Sequence, residues 1–300
     1  MINPKNKWRR YNTPLGICIN EKCETVISKY LIPNYQGQIQ LIFTSPPFPL
    51  NRAKKYGNLM GDEYKKWLCD VVKSMLPLLT EDGSIVIEIG NAWNYGEPTF
   101  STLPMETLLS IKNECGLSLC QEFIYYNPAR LPSPIQYVNI DRIRVKDSFT
   151  RVWWFSRSAN PKANNRNVLK QYSKQMKKLL ETGQYNAGER PSEHSISETA
   201  FNNDNGGAIP SNVLIDSNTD SRDPYLLRCK ENGIKIHPAR MPFEVPRFFI
   251  NLLTDENDIV MDCFAGSNTT GYCAEEAKRR WISVEADKDY YMGSKYRFIR

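Results

Sequence analysis

Two histidines in 300 residues, and eight cysteines with no Cys-x-x-Cys among them, leave few ways to hold a metal ion. A structural zinc site needs four nitrogen or sulfur ligands at short, paired spacings, and neither His194 nor His237 joins such a pair, so no metal is expected. Unpaired spacing also reads the thiols as reduced, those of a cytoplasmic protein. No run approaches the ~20 apolar residues that a membrane helix needs. The polar stretch Met1–Arg10 lacks the apolar core of a signal peptide, so no membrane role is expected. No Gly-x-Gly-x-x-Gly occurs, which removes the fingerprint of dinucleotide-dependent dehydrogenases. No internal repeat is visible.

What is present is enough apolar material for a core. Hydrophobic residues make up 41% of the chain and tyrosine contributes 16, which suits one large α/β domain or two small ones. The net charge of +6 suits a polyanionic partner without requiring one. That charge is uneven. Residues 142–190 hold twelve Lys/Arg against Asp147, Glu181 and Glu189, a net of +9, whereas 192–220 hold five acids and no Lys or Arg. A basic run of this kind forms either a solvated helix face or a nucleic-acid footprint.

Strands are expected at 15–19, 39–44, 84–89, 118–126, 150–156, 259–261 and 281–284, from short apolar runs bounded by turn residues. Residues 1–14 read as irregular. A helix N-capped by Asp62 and running to about Thr80, kinked by Pro77, follows from apolar residues at helical spacing, and Asp82-Gly83 reads as a turn. Helices are also expected at 104–115, 167–181, 243–254 and 270–280. The alternation indicates a doubly wound sheet. It breaks between 160 and 236, and most of 183–220 is rich in Gly, Asn, Ser and Asp, too long for an ordinary connection.

The chain is organised around Ile39-Gln40-Leu41-Ile42-Phe43-Thr44-Ser45-Pro46-Pro47-Phe48. A buried strand ends in two prolines, which hold Ser45 out of the α region and leave a rigid extended turn. Open α/β sheets place their chemistry at that edge. The turn offers a hydroxyl, carbonyl acceptors and an aromatic face, which is what a planar amino group on a ring requires. A proline-terminated strand with no such role carries the same signature.

A second constellation is Asp258-Ile259-Val260-Met261-Asp262-Cys263-Phe264-Ala265-Gly266-Ser267-Asn268-Thr269-Thr270-Gly271, a strand, a tight turn and a helix start, with Thr269 or Thr270 expected as cap. Glu285 follows Gly266 by 19 residues at the end of the next strand, the spacing at which βαβ units grip ribose hydroxyls. A glycine-stabilised βα turn without a ligand is the plainer alternative.

Taken together, these stretches resemble the β group of DNA amino-methyltransferases. Ser45, Pro46, Pro47 and Phe48 match their catalytic Asp/Asn/Ser-Pro-Pro-aromatic motif. Phe264, Gly266 and Thr269 match their S-adenosylmethionine motif, Phe-x-Gly-x-Gly-x-Thr. The resemblance covers nearly the whole chain, and the order of catalytic motif, recognition region and cofactor motif is that of this circularly permuted group. It implies a Rossmann-like methyltransferase fold over 1–159 and 237–300, with a mixed doubly wound sheet, and a target-recognition region at 160–236. It implies a cofactor set of Asp262, Phe264, Gly266, Ser267, Asn268, Thr269 and Glu285, joined by Thr13, Glu21 and His237. Asn268 stands where the motif has Gly. Asn best replaces Gly at positive φ, so the turn should persist, and Asn268→Gly should leave cofactor binding intact.

Serine in the first motif position implies transfer of a methyl group to the N4 nitrogen of cytosine in duplex DNA. Adenine N6 is the alternative, and a non-catalytic DNA-binding protein on a decayed fold is the alternative of another class. Ring-carbon methylation needs a cysteine after a proline, and no cysteine here follows one. The DNA contacts expected are Arg52, Lys54 and Lys55 in a basic loop and Arg142, Arg144 and Arg190 in the +9 stretch. A monomer is expected, with a cognate restriction endonuclease acting on the same site without a stable complex.

Overall fold

In a computed structural model the described residues are 8–49, 59–183, 202–217 and 223–299, with short strands at 188–189 and 195–196. The chain divides into a larger compact unit, 1–163 with 212–300, and a smaller one, 164–211.

The larger unit is built on nine strands: β1 (Arg9–Asn12), β2 (Gly16–Asn20), β3 (Ile39–Thr44), β4 (Leu79–Gly90), β5 (Ser118–Tyr126), β6 (Phe149–Ser156), β7 (Val213–Ile215), β8 (Ile259–Asp262) and β9 (Arg280–Glu285). Their spatial order is β1-β2-β9-β8-β3-β4-β6-β5-β7. The five from β2 to β4 run parallel, β1 and β6 are antiparallel to their neighbours, and β5 and β7 pair in parallel. Every residue of β3 is buried, as expected of a central parallel strand covered on both faces.

Helices cover both faces. α1 (Cys23–Val26) continues through wider turns, Ile27–Leu31, and a last turn, Ile32–Tyr35. Together with α2 (Gly61–Met75) and α3 (Leu103–Glu114) it packs against Ile42, Ile85, Ile87 and Ile89. α4 (Lys174–Thr182) belongs to the smaller unit, and α5 (Pro224–Glu231) to the larger one. On the opposite face Phe249 of α6 (Glu244–Leu253) meets Phe43 of β3 at 5.7 Å and Phe123 of β5 at 4.9 Å. α7 (Thr269–Glu276) and α8 (Lys288–Ser294) complete the larger unit. This is the α/β doubly wound mixed sheet read from the sequence. No helix among the described residues is long and apolar enough to cross a membrane.

Several local expectations change. Residues 9–12 are a strand, because Tyr11 packs among Trp281, Tyr291 and Phe298 and so ties β1 to the edge of the sheet. Asp62 does not cap α2: the helix starts at Gly61 after extended Met60, and the Asp62 carboxylate pairs with Lys65 at 2.7 Å instead. Pro77 stands in a short turn after the helix, and Asp82-Gly83 is an irregularity inside β4 rather than a turn. The basic helix begins only at Lys174, where the Ser173 hydroxyl accepts the Met176 N–H. β7, α5 and α8 were not legible. Their segments are short, and Asp223 and Asp287 cap the two helices.

The smaller unit is narrower than 160–236, since 212–217 and 223–236 belong to the larger one. Within it Lys170 and Ala208 exchange two backbone hydrogen bonds, and the Tyr172 hydroxyl accepts the Asn205 N–H.

Candidate functional site

The parallel strands end together at Asn20, Glu285, Asp262, Thr44 and Gly90, and the antiparallel register sets Thr150 opposite Gly90. Both sequence constellations therefore meet at one edge.

The turn after β8 is held from several sides. The Ala265 N–H reaches the Val284 carbonyl, and the Phe264 N–H reaches the Asp262 carboxylate. Gly266 has φ +52, and a Cβ there would stand 3.0 Å from Nε2 of His237, so the position requires glycine twice over. The Glu285 carboxylate accepts the N–H groups of Gly266 and Asp287, each at 2.7 Å. Burial pushes its pKa up to about 7, against the pull of those two N–H donors. Burial also pushes His237 down to about 4, so its imidazole is neutral near pH 7.

Asp262 is a post rather than an open ligand group. Its oxygens accept the hydroxyls of Thr44 (2.8 Å) and Thr270 (2.7 Å) as well as the Phe264 N–H, joining the ends of β3 and β8. Ser267 is engaged by Arg297, which donates to its carbonyl (2.6 Å) and its hydroxyl (3.1 Å). The cap of α7 is Asn268, not Thr269 or Thr270. It sits in the left-handed region at φ 55, and its Oδ1 accepts the Gly271 N–H at 3.1 Å. Thr269 pairs with the Ser267 hydroxyl at 3.2 Å. The Phe264 ring leans on Trp67, 5.5 Å away.

Glu21 stands just beyond β2, where Asn20 donates to the Glu285 carbonyl at 2.8 Å, so it shares this edge. Thr13 does not. It lies in the turn between β1 and β2, at the opposite end of the strands, and its hydroxyl donates to Glu275 and accepts the Gly16 N–H. Its match to the cofactor set is a hairpin feature.

Ser45 donates its hydroxyl proton to Glu88 Oε2 at 2.6 Å, and Thr150 donates to Oε1 at 2.8 Å. Glu88 is buried, and burial raises its pKa while these two bonds and the positive charge of Arg130 oppose the rise. With its proton directed at Glu88, Ser45 Oγ keeps its remaining lone pairs free to act as an acceptor. Pro46 is buried and Pro47 exposed. The Phe48 ring lies against Gly90 so closely that a Cβ there would come within 2.2 Å of it. Glu88 was not among the expected site residues, although Glu88-Ile89-Gly90-Asn91 resembles the family's strand beside the target base. Its signal was a lone carboxylate inside the apolar run Ile85-Val86-Ile87-Glu88-Ile89.

Arg142 and Arg144 are exposed on the 127–148 excursion between β5 and β6, at the same edge. Arg144 donates to the carbonyls of Pro98 (2.9 Å) and Ile143 (2.7 Å). Arg52, Lys54, Lys55 and Arg190 lie outside the described residues.

The buried carboxylates set a pH dependence. Glu285, with Glu88 and Asp262 shifted in the same direction, binds protons more tightly folded than unfolded. Stability from such groups is complete below their unfolded values, 4.5 for the two glutamates and 3.8 for Asp262, and is lost as pH rises through the folded values. Without cofactor, the Glu285 contribution should therefore fall as pH rises from about 4.5 to about 7, so Glu285→Gln should change the slope of Tm against pH over that range. Thermal melts of both proteins check it.

The sequence profile of a DNA methylase family matches residues 39–295. The type II methyltransferase M.PvuII of Proteus hauseri is 46% identical over 263 residues, covering 87% of this chain and 78% of that one. A solved structure described as PvuII DNA methyltransferase (cytosine-N4-specific) superposes with a TM-score of 0.77 at 36% identity, over 97% of this chain and 88% of the other. The S-adenosylmethionine complex of M1.HpyAVI shares the fold, with a TM-score of 0.57 at 17% identity over 94% of this chain and 98% of the other.

Proposed function

The chain belongs to the N6/N4 DNA methylase family, and on that premise we propose that it is a site-specific methyltransferase moving a methyl group from S-adenosylmethionine to the exocyclic N4 of cytosine in duplex DNA. The observation that carries this reading is the Ser45–Glu88 hydrogen bond at the catalytic edge.

The residues fit the cofactor. Each oxygen of the buried Glu285 carboxylate takes one backbone N–H and keeps a lone pair for a ribose hydroxyl, whose donation would offset the burial that raises its pKa. Gly266 supplies a surface without a side chain beside neutral His237, and Phe264 an aromatic one. When bound, S-adenosylmethionine supplies an electrophilic methyl group on a sulfonium.

The amino nitrogen of cytosine is a poor nucleophile because its lone pair is delocalised into the ring. Ser45 Oγ and the Pro46 carbonyl accept hydrogen bonds from the two amino protons, which favours a tetrahedral nitrogen and frees that lone pair. Glu88 fixes the Ser45 hydroxyl so that an oxygen lone pair, not a proton, faces the base. Phe48, stacked against the target ring, offsets part of the few kcal/mol that withdrawing a base from the helix costs. Serine in the first motif position favours cytosine over adenine.

Target recognition is assigned to 160–236, with the unit at 164–211 as its core and the +9 stretch on phosphates. Arg52, Lys54, Lys55 and Arg190 are further DNA contacts in this reading. The protein acts as a monomer in the cytoplasm of a prokaryotic cell, opposite an endonuclease that cuts the same site. Expression in a bacterial host without N4-methylcytosine, followed by sequencing for modified bases, should find methylated cytosine within one short motif. Unmodified DNA, or methyladenine alone, would count against the reading.

A further inference from the structure

Five large apolar side chains stand open to solvent in one segment to which the reaction gives no role. Leu131 is 80% and Val145 86% exposed, and Ile135, Ile140 and Ile143 are more than half exposed. All five lie in the 127–148 excursion. They are interleaved with Arg130, Arg142, Arg144 and Lys146 against only Asp141 and Asp147, and from Arg142 to Lys146 cation and aliphatic alternate residue by residue. Exposed apolar clusters mark binding surfaces, and protein–protein interface cores are depleted of charge, which this segment is not.

The excursion is built, not loose. The Asn127 N–H reaches the Ser148 carbonyl (2.9 Å), and the Asp147 N–H that of Ser133 (3.2 Å). Lys146 donates to the carbonyls of Pro128 (3.0 Å) and Arg130 (3.2 Å). The N–H groups of Ile143 and Arg144 share the Tyr137 carbonyl, and the Tyr137 ring lies 6.5 Å from Trp93. Its root is the catalytic edge of the sheet, where β4 ends and β6 begins. Asn91 donates to Asp147 (2.9 Å) and to the Phe149 carbonyl (3.2 Å), Arg130 donates to that same carbonyl (3.1 Å), and the next residue, Thr150, holds Glu88.

We propose that this excursion is a wedge that enters duplex DNA beside the target and fills the space the withdrawn base leaves, with Leu131 and Val145 as its apolar tips and Arg142 and Arg144 on the flanking phosphates. The inference rests on the reading of the site as one that methylates a flipped base. A stack that has lost a base presents two apolar ring faces between two anionic rails, and aliphatic side chains set among cations complement both. Apolar wedges of this kind part base steps in other DNA-bending proteins. The wedge lowers the cost of holding the base out, so it acts on paired DNA and is dispensable where the base is already unpaired.

The test uses the double variant Leu131→Ala/Val145→Ala, with the arginines kept, and labelled S-adenosylmethionine on two duplexes carrying the mapped site. One is fully paired, and in the other the target cytosine faces an abasic position. On the paired duplex kcat/KM should fall about tenfold or more, a loss equivalent to about 1.4 kcal/mol. On the abasic duplex it should hold within about threefold, with cofactor affinity and Tm unchanged. The polar variant Leu131→Gln/Val145→Thr should behave alike. Equal losses on both duplexes, or no loss on the paired one, would overturn the wedge. If the wild-type protein methylates cytosine in neither duplex, the functional reading itself fails and the wedge goes with it.

Discussion

Ser45→Ala is expected to lower kcat by about 10²–10³, the usual consequence of removing one oriented hydrogen-bonding group at a reacting centre. Cofactor affinity and DNA affinity should stay within a few-fold, because the hydroxyl sits at the carboxyl end of β3 and packs no core. Glu88→Gln is expected to lower kcat comparably by a different route. An amide nitrogen facing Ser45 would donate to Oγ, turn the hydroxyl proton away from residue 88 and set a donor against the amino protons of the base. The substitution also removes a buried charge whose desolvation raises its pKa, so Tm should hold or rise. Loss of turnover with retained Tm separates a positioning role from a structural one. Initial rates with labelled cofactor, with melts and calorimetry on the same samples, make the measurement. Turnover within threefold of wild type for Ser45→Ala would leave the Pro46 carbonyl as the working acceptor.

The second large effect concerns Asn268. Its backbone is at φ 55, as the replacement of a motif glycine implies, but its side chain is also engaged through both its oxygen and its nitrogen. Oδ1 accepts from the Ser283 hydroxyl (2.7 Å) and the Gly271 N–H (3.1 Å), and Nδ2 donates to the Tyr11 hydroxyl (3.0 Å), all in a completely buried position. Tyr11 in turn meets Ser294 at 2.8 Å. One amide thus joins the cofactor turn to β1, β9 and the end of α8. The expectation that Asn268→Gly preserves cofactor binding therefore reverses. The glycine variant keeps the backbone but leaves Ser283 and Tyr11 short of partners, and buried unsatisfied groups cost about 1–3 kcal/mol each. Cofactor affinity should fall about tenfold or more, with a lower Tm. Asn268→Val adds a β-branched residue at positive φ and should be worse on both counts. Calorimetric dissociation constants for the two variants decide it, and an unchanged constant in the glycine variant would make the network incidental to the site.

These two cases show where the sequence was legible. The central strands β3, β4 and β8 could be read because parallel strands covered on both faces are near-continuous apolar runs. The two motif turns could be read because proline, glycine and asparagine leave few backbone choices. Long-range partnerships could not. Nothing local tells Asp262 to hold Thr44, 218 residues away in the chain, or Asn268 to reach Tyr11, 257 residues away. β1 was missed for that reason, since its arginines and Tyr11 form a strand only against the edge of the sheet. Thr13 was misassigned because its neighbours match the family while the hairpin carries it to the other end of the strands. Glu88 was visible as a lone acid among isoleucines, but its partner was not.

The most direct measurement of the central claim is the identity of the methylated nucleoside. The protein is incubated with S-adenosylmethionine labelled in its methyl group and duplex DNA carrying the mapped site, the DNA is digested to nucleosides, and the labelled species are separated by mass. The account predicts label in N4-methylcytidine's deoxy form, absent when Ser45→Ala replaces the wild type over the same interval. Label confined to N6-methyldeoxyadenosine would contradict it.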